Sequence, residues 1–417
     1  MPTTTAAPPA TPVPPPPPSG VLRARRVGNC VLAALFVLAL WLPVLQRPLK
    51  IGRFFHDDQG NWTGFGDLDK RFQEGFAFRD VLLKLRVELR LGLFDLLPDT
   101  VIRGKDGWLF YNSEIVHDGH SFDDFRGEIH PDGLTLDAWT AVTRSRAEAL
   151  AAQGSHLAIV VVPNKQTIYA GELPAAITRQ RGARTRTDDV VEVLSVLEQT
   201  KPVREPWTLI DLRPVFTHAL QRSDQGTATT PLYYRTDSHW TESGAQVAAT
   251  AISDALTPVV PGFVPLPDAV LTPRQGTYPG DIGKLVLGHP ISETAEFLDP
   301  DHIWPARTAA GAPVLGPGIT REMIVSFFTR STSADDPIHP LITTVDDPNL
   351  PTAVIFHDSF GPCMLPWMAQ HFRRAVWCWN CSWDQAVVDR EKPSVVIVER
   401  VERYVDRLFA DGPPVAP

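Results

Sequence analysis

Two short stretches of this sequence carry the residue types needed for acyl transfer by a serine nucleophile. Asp237 and His239 are separated by one residue, and Ser359 follows an apolar run at 353–356. In an Asp–His–Ser arrangement the carboxylate orients the imidazole, which takes the proton from the serine hydroxyl. Side chains two positions apart in an extended segment point the same way, so Asp237 and His239 can face one site.

Each stretch also has an ordinary structural interpretation. An Asp-x-His pair is common in solvated loops, and Asp358 or Ser359 could do no more than cap a helix. Considered together, the two stretches are more specific, because each supplies a group that the other lacks. We therefore predict that Ser359, His239 and Asp237 form a catalytic triad.

The elements that must position these residues alternate between strand and helix. Apolar runs that predict strands lie at 157–162, 208–211, 352–356 and 394–398, and helical patterns lie at 135–153, 188–199 and 245–256. This alternation predicts an α/β sandwich with a mainly parallel sheet. Ser359 then lies at the carboxyl end of a parallel strand, where α/β folds bind their ligands. A helix that begins after Ser359 would add backbone N–H groups for an oxyanion.

Two regions depart from this alternation. At 101–111 two apolar arms flank the turn residues Lys105, Asp106 and Gly107, which predicts a β-hairpin. The segment 259–350 is rich in Pro, Gly and Asp and has no clear period. We predict a loop-rich insertion there, with short strands, that acts as a lid or a substrate platform.

The N-terminal region predicts the cellular compartment. Arg23, Arg25 and Arg26 precede an apolar stretch, a pattern that sends the rest of the chain out of the cytoplasm. A cleaved signal peptide is the alternative, but no small-x-small cleavage pattern follows the stretch. The predicted order is a disordered Pro-rich cytoplasmic tail at 1–26, a signal-anchor transmembrane helix at 27–45, a juxtamembrane helical segment at 46–99 and an extracytoplasmic catalytic domain at 100–410.

Composition and cysteine content narrow the ligand classes. The net charge of −9 over 417 residues argues against a general affinity for nucleic acid. Cys378 and Cys381 have CxxC spacing without a second ligand pair, so we predict no metal site. In an oxidising compartment two of Cys363, Cys378 and Cys381 are expected to form a structural disulfide. No nucleotide fingerprint is present, and no cofactor is predicted.

Several stretches, in order, resemble the SGNH-hydrolase-like acetyltransferases of the alginate O-acetylation family. The resemblance covers roughly residues 100–404 and rests on the segments 103–110, 162–165 with Tyr169, 233–240, 357–361 and 391–400. It implies a three-layer sandwich in which Asp237 orients, His239 acts as base and then acid, and Ser359 carries the acetyl group. The family places its Asp and His before the nucleophile, and this chain has that order.

Two positions differ from the commoner family pattern. Ser238 replaces a threonine between Asp237 and His239, which is a conservative change. His357 stands where glycine or arginine often precedes the Asp-Ser-Phe motif, and we expect it to have no catalytic role. Asp281 resembles part of a family glycine–aspartate element, and no role is assigned to it.

Four further residues are candidates for substrate binding. Tyr234 and Trp240 could stack on a sugar ring, although aromatic residues beside a catalytic loop more often pack in the core. Asn164 and Lys165 follow a core strand and could contribute an oxyanion donor or a sugar contact. A simple role in the turn is equally compatible with their positions.

The resemblance implies transfer of acetyl groups to an exported polysaccharide through an acetyl-serine intermediate. It also implies a membrane-bound O-acyltransferase as the partner that supplies the acetyl group. The alternative enzyme is a polysaccharide acetylesterase that uses the same triad with water as the acceptor. A polysaccharide-binding component with an inactive site is the non-enzymatic alternative, and the sequence does not specify the polymer.

Overall fold

The computed structural model describes residues 99–117, 119–200, 207–224, 231–266, 271–283, 291–328, 340–379 and 382–410. The described helices are α1 Phe122–Arg126, α2 Gly133–Ala151, α3 Lys165–Ile168, α4 Ala175–Thr178, α5 Arg186–Thr200, α6 Leu212–Asp224, α7 Glu242–Leu256, α8 Arg321–Phe327, α9 Gly361–Met368 and α10 Gln385–Glu391. The described strands are β1 Val101–Arg103, β2 Leu109–Tyr111, β3 His156–Val162, β4 Trp207–Asp211, β5 Leu271–Gly280, β6 Ile291–Pro300, β7 Arg307–Thr308, β8 Leu341–Thr344, β9 Thr352–His357, β10 Arg374–Trp379 and β11 Val395–Val401.

The central sheet is mixed rather than wholly parallel. Its seven strands follow the order β4-β3-β11-β9-β10-β8-β7. The pairs from β4 to β10 are parallel, whereas β8 and β7 are added antiparallel at one edge. The prediction of a mainly parallel sheet is therefore confirmed for its centre and corrected at this edge.

Strand β3 illustrates why the core strands are apolar along their whole length. All seven of its residues are buried. Leu157, Ile159 and Val161 pack into one hydrophobic cluster, with side chains of α2, α5 and α10. The alternate residues of β3 pack into a second cluster, with side chains of α6, α7 and α9. Because both faces of the sheet are covered by helices, no polar alternation is required, and the result is a three-layer sandwich.

Both regions that depart from the strand–helix alternation contain defined secondary structure. Strands β1 and β2 pair antiparallel, which confirms the predicted hairpin at 101–111. Within 259–350, strands β5 and β6 form an antiparallel pair ten residues long, and α8 follows. The same segment supplies β7 and β8 to the central sheet, so part of it belongs to the main fold.

The predicted cytoplasmic tail, signal anchor and juxtamembrane segment, up to residue 98, lie outside the described residues. Over the described ranges, none of the helices combines the length and apolarity needed to cross a membrane.

The disulfide prediction is corrected for Cys363. Its thiol is in no disulfide, and its sulfur accepts a hydrogen bond from Arg321 Nε at 3.0 Å. Cys381 lies outside the described residues. A pairing of Cys378 with Cys381 therefore stays a prediction.

Strand β11 is the element on which the sheet depends most, since it pairs with both β3 and β9. Ile397 lies at its centre and is 1% exposed. We expect Ile397→Ala to lower the free energy of unfolding by about 2 to 5 kcal/mol, because it leaves a cavity between packed layers. Urea denaturation measures this loss. Val196→Ala, at a helix position that is 56% exposed, is the matched control and should shift stability by less than about 1 kcal/mol; equal effects of the two variants would contradict the prediction.

Candidate active site

Ser359, His239 and Asp237 form one continuous hydrogen-bonded chain. Ser359 lies in the turn between β9 and α9, and the other two residues lie in the loop that leads into α7. His239 Nε2 is 2.8 Å from Ser359 Oγ, across 120 residues of sequence. On its other side, His239 Nδ1 is 2.7 Å from Asp237 Oδ1. The structure thus brings together the three residues that the sequence pattern selected.

The carboxylate fixes the tautomer of His239. An ionised carboxylate only accepts hydrogen bonds, so Nδ1 carries the proton and Nε2 is left to accept from the Ser359 hydroxyl. Burial and the Arg321 charge lower the pKa of His239, but the charge and hydrogen bond of Asp237 outweigh them, and the pKa is raised above its usual value. The imidazole is thereby prepared to take a proton from the serine.

Asp237 is fully buried, and both of its oxygens are occupied. Oδ1 also accepts from the His239 backbone N–H at 2.8 Å. Oδ2 accepts from the Asp281 N–H at 2.9 Å and from the Tyr278 hydroxyl at 3.2 Å. Burial alone raises the pKa of Asp237, but the charge and hydrogen bonds of His239 and the charge of Arg321 hold it well below its usual range. Asp237 is therefore a stable anion in a site that excludes water.

Asp281 holds the same loop from the side. Its carboxylate accepts from the Ser238 backbone N–H and the Ser238 hydroxyl, each at 2.7 Å. The sequence alone assigns no role to Asp281, which there only resembles part of a family glycine–aspartate element. The structure shows that Asp281 orients the loop with both its backbone and its side chain.

Asp358 holds the nucleophile turn in place, and Ser359 does not cap the helix. The Asp358 carboxylate accepts from the Phe360 N–H at 2.9 Å and from the Val401 N–H at 2.8 Å, which ties the turn to β11. The helix α9 has no side-chain cap at Phe360. Ser359 is half-buried, and its hydroxyl is bonded to His239 instead.

His357 supports this turn as a neutral side chain. It is fully buried, and its Nδ1 donates to the Asp358 carbonyl oxygen at 2.7 Å. Burial lowers the pKa of His357 to about 4. A Cβ atom on Gly361 would lie only 2.1 Å from His357 Nδ1, so the first residue of α9 must be glycine for the turn to close.

Lys165 makes structural contacts in this fold, and a role for it in substrate binding stays a prediction. The side chain is 3% exposed, and Nζ donates to the carbonyl oxygens of Leu109, Arg235 and Asp237 at 2.6, 2.8 and 3.0 Å. Burial lowers the pKa of Lys165 to about 7, while the three acceptors match the three donors of the ammonium form. Lys165 joins the hairpin of β1 and β2 to the loop that carries Asp237.

Tyr234 and Trp240 pack in the core, the more common of the two roles considered for them, and sugar stacking by these residues stays a prediction. Trp240 is fully buried and packs against Phe216 and Phe360. Tyr234 is 2% exposed, and its ring is stacked on Tyr278 with centroids 3.6 Å apart. Neither ring has an open face for a sugar in this structure, so both stabilise the loop instead.

Asn164 lies at the end of β3, where its side chain has a defined orientation. Arg403 Nη1 donates to Asn164 Oδ1 at 3.3 Å, and arginine can only donate, so this atom must be the oxygen. The Asn164 backbone N–H donates to Glu402 Oε2 at 2.6 Å. The Arg403 guanidinium also lies 5.4 Å from the centre of the Phe360 ring, next to Ser359.

Asp237, His239 and Asp281 place their ligand-type atoms within 4.8 Å of one another, close enough to consider a cation. The hydrogen bonds already described account for this proximity. A cation on His239 Nδ1 would displace the proton that orients the imidazole towards Ser359. We therefore interpret these three residues as a hydrogen-bond network.

A three-layer α/β sandwich with a serine at the end of a parallel strand, bonded to a histidine and a buried aspartate, is typical of the SGNH hydrolase-like class. Residues 101–312, just over half of the chain, match the family described as "SGNH hydrolase-like domain, acetyltransferase AlgX". The chain belongs to this family.

Two curated relatives carry the name "Probable alginate O-acetylase AlgJ". The protein from Pseudomonas aeruginosa is 26% identical over 251 residues, which cover 60% of this chain and 56% of the relative. The protein from Pseudomonas fluorescens is 25% identical over 251 residues, or 58% of this chain and 54% of the relative. The chain thus spans just over half the length of these relatives.

Among solved structures, Bacillus cereus PatB1 is similar in fold. The match has a TM-score of 0.50 and 14% sequence identity, and it covers 77% of this chain and 100% of PatB1. This likeness supports the fold assignment alone.

The contacts of Lys165 generate a test that separates structure from substrate binding. Lys165→Met leaves three carbonyl groups without their donor, so we expect the free energy of unfolding to fall by about 1 to 3 kcal/mol. The loop of Asp237 should loosen, and kcat on an acetyl ester should fall with it. Denaturant unfolding and steady-state kinetics measure both effects. Lys105→Met, at an exposed position with one carbonyl partner, is the control. A raised KM with unchanged stability would instead indicate a substrate contact.

Proposed function

We propose that this protein is an O-acetyltransferase that moves acetyl groups onto hydroxyls of a polysaccharide through an acetyl-Ser359 intermediate. The observation that carries the proposal is the hydrogen-bonded chain from Ser359 through His239 to the buried Asp237. Membership of an acetyltransferase family supports the choice of acyl group.

In the first step, His239 Nε2 takes the hydroxyl proton of Ser359 as Oγ bonds to the carbonyl carbon of the acetyl donor. The bond to the donor's leaving oxygen breaks, and that oxygen receives the proton from His239. In the second step, a sugar hydroxyl gives its proton to His239 and attacks the acetyl-serine. Ser359 Oγ leaves and recovers the proton. Asp237 stabilises the imidazolium in both steps through its charge and hydrogen bond.

Two donors are suited to stabilise the oxyanion of each tetrahedral intermediate. The Ser359 backbone N–H has no acceptor within the described residues, and α9 begins two residues later. The second is Asn164, because Arg403 engages its oxygen and leaves the Nδ2 amide as the donor end. Such donors contribute most where water is excluded, as it is beside the buried Asp237.

The proposed acceptor is a polysaccharide of the polyuronate class, since the curated relatives are named alginate O-acetylases. We further propose that the catalytic domain is extracytoplasmic, anchored by the N-terminal segment at 27–45. A membrane-bound O-acyltransferase would then supply the acetyl group, because acetyl-CoA is confined to the cytoplasm. Hydrolysis of acetyl-polysaccharide by the same triad is the competing activity.

Intact-mass spectrometry of the protein after incubation with an activated acetyl ester tests this proposal. An adduct of one acetyl group is expected, located on Ser359 by peptide mapping and missing from Ser359→Ala. Adding an oligouronate should discharge the adduct faster than water does and should yield acetylated sugar. Loss of the adduct to water alone would identify an esterase, and the absence of any adduct from folded protein would reject the serine mechanism.

The oxyanion assignment predicts a separate kinetic defect. Asn164→Ala should lower kcat by about 10²- to 10³-fold with little change in KM, because the lost hydrogen bond forms mainly in the transition state. Asn349→Ala, at an exposed turn, is the matched control. Single-turnover acetylation of Ser359 is the measurement, and a rate for Asn164→Ala equal to that of the control would exclude this role.

A further inference from the structure

Arg321, the first residue of α8, lies behind the Asp–His pair and contacts two neutral side chains. Its Nη1 donates to the Tyr278 hydroxyl oxygen at 2.7 Å, and its Nε donates to Cys363 Sγ at 3.0 Å. Burial raises the pKa of Tyr278 well above its usual value and that of Cys363 to about 11, so both remain protonated near neutral pH. No carboxylate of the described ranges lies within 4.0 Å of the Arg321 nitrogens.

The hydrogen bonds of Arg321 have only one direction. A guanidinium has donors and no acceptor, so the Tyr278 oxygen must accept from Arg321. The single proton of the Tyr278 hydroxyl is then directed to Asp237 Oδ2, 3.2 Å away. Asp237 Oδ1 is left facing His239, whose Nδ1 proton it requires. Arg321 thus sets the direction of the Tyr278 proton, and the Asp237 carboxylate sets that of the His239 proton.

Arg321 also joins the two halves of the site. Tyr278 lies on β5 and contacts Asp237, whereas Cys363 lies on the first turn of α9, four positions after Ser359. The guanidinium therefore donates through Nη1 to Tyr278, which contacts Asp237, and through Nε to Cys363 on α9. Because the plane of a guanidinium is rigid, the two contacts fix one separation between these parts.

We propose that Arg321 is a positioning residue of the active site, which sets the orientation of Asp237 through Tyr278 and holds α9 through Cys363. The inference rests on the proposed serine mechanism and goes beyond it, because neither the family match nor the sequence pattern assigns this residue a role. Arg321 belongs to the segment 259–350, so that segment is part of the catalytic apparatus.

The charge of Arg321 affects the pKa of His239, an effect that a purely packing role of the side chain would not have. Among the described residues, the charged groups that act most strongly on the pKa of His239 are Asp237 and Asp281 in the surrounding loops and Arg321 on α8. Asp237 and Asp281 raise the pKa of His239, and Arg321 lowers it. Removing Arg321 should therefore raise that pKa. Activity requires neutral His239, so the acidic limb of the rate profile should move to higher pH.

The test compares Arg321→Met and Arg321→Lys with wild type in kcat, KM and the pH profile of acetyl-ester turnover. Arg321→Met should lower kcat by about 10- to 100-fold, the range expected for misplaced catalytic groups, with little change in KM. Its acidic limb should move to higher pH. Arg321→Lys should keep the limb near its wild-type position but recover only part of kcat, because one ammonium cannot reproduce both contacts.

Arg274→Met is the matched control, since Arg274 lies exposed on β5 and pairs with Asp299. It should leave kcat and the limb unchanged. Tyr278→Phe should lower kcat alone, and adding Arg321→Met to it should cost less than the product of the two single effects. Circular dichroism and melting temperature establish that each variant is folded. A folded Arg321→Met with the wild-type limb and kcat would overturn the inference, whereas turnover that survives Ser359→Ala would instead reject the serine mechanism itself.

Discussion

The site depends on keeping a charged carboxylate, that of Asp237, in a position without water. A buried charge that loses its partners is strongly destabilising, so every acceptor position on Asp237 has to be filled by the protein. The loop supplies two donors through His239, and the region of β5 supplies Tyr278 and the Asp281 N–H. The long hairpin that follows α7 is required for this reason. Tyr278 and Asp281, at the end of its first strand, donate hydrogen bonds to the Asp237 carboxylate, which lies more than 40 positions earlier in the sequence.

The turn of Ser359, the proposed nucleophile, is held by a second set of contacts that is largely independent of the first. Asp358 ties the turn to β11, and His357 packs beneath it with its ring against Gly361. Burial and the charge of Asp358 raise the pKa of Glu399 well above its usual value. The Glu399 carboxyl, on β11, is therefore protonated beside Asp358. The two sets meet at the 2.8 Å contact between His239 and Ser359. Arg321 also links the two sets, through its hydrogen bonds to Tyr278 and Cys363.

The sequence allowed prediction of those parts that local pattern determines. Continuous apolar runs identified β3, β9 and β11, and the spacing of Asp237 and His239 identified the charge pair. Strand β10 was missed although its residues after Arg374 are all apolar and buried, because a short apolar run does not by itself distinguish a strand from a buried helix segment. The roles of Lys165 and Arg321 depend on contacts at least 42 positions away, and nothing in their immediate surroundings indicates them. The sequence left open whether Trp240 stacks on a sugar or packs in the core, because aromatic residues beside a loop look the same in sequence in either position.

Strand β11 is synthesised after every other strand of the sheet, yet it lies between β3 and β9. Until residues 395–401 exist, the strand before Ser359 and the strand before Asn164 have no common neighbour, and Asp358 lacks the Val401 N–H. Contacts this distant in sequence slow folding, because closing the intervening chain costs entropy. The alignment of the strands before Ser359 and Asn164 therefore depends on the last strand of the sheet to be synthesised.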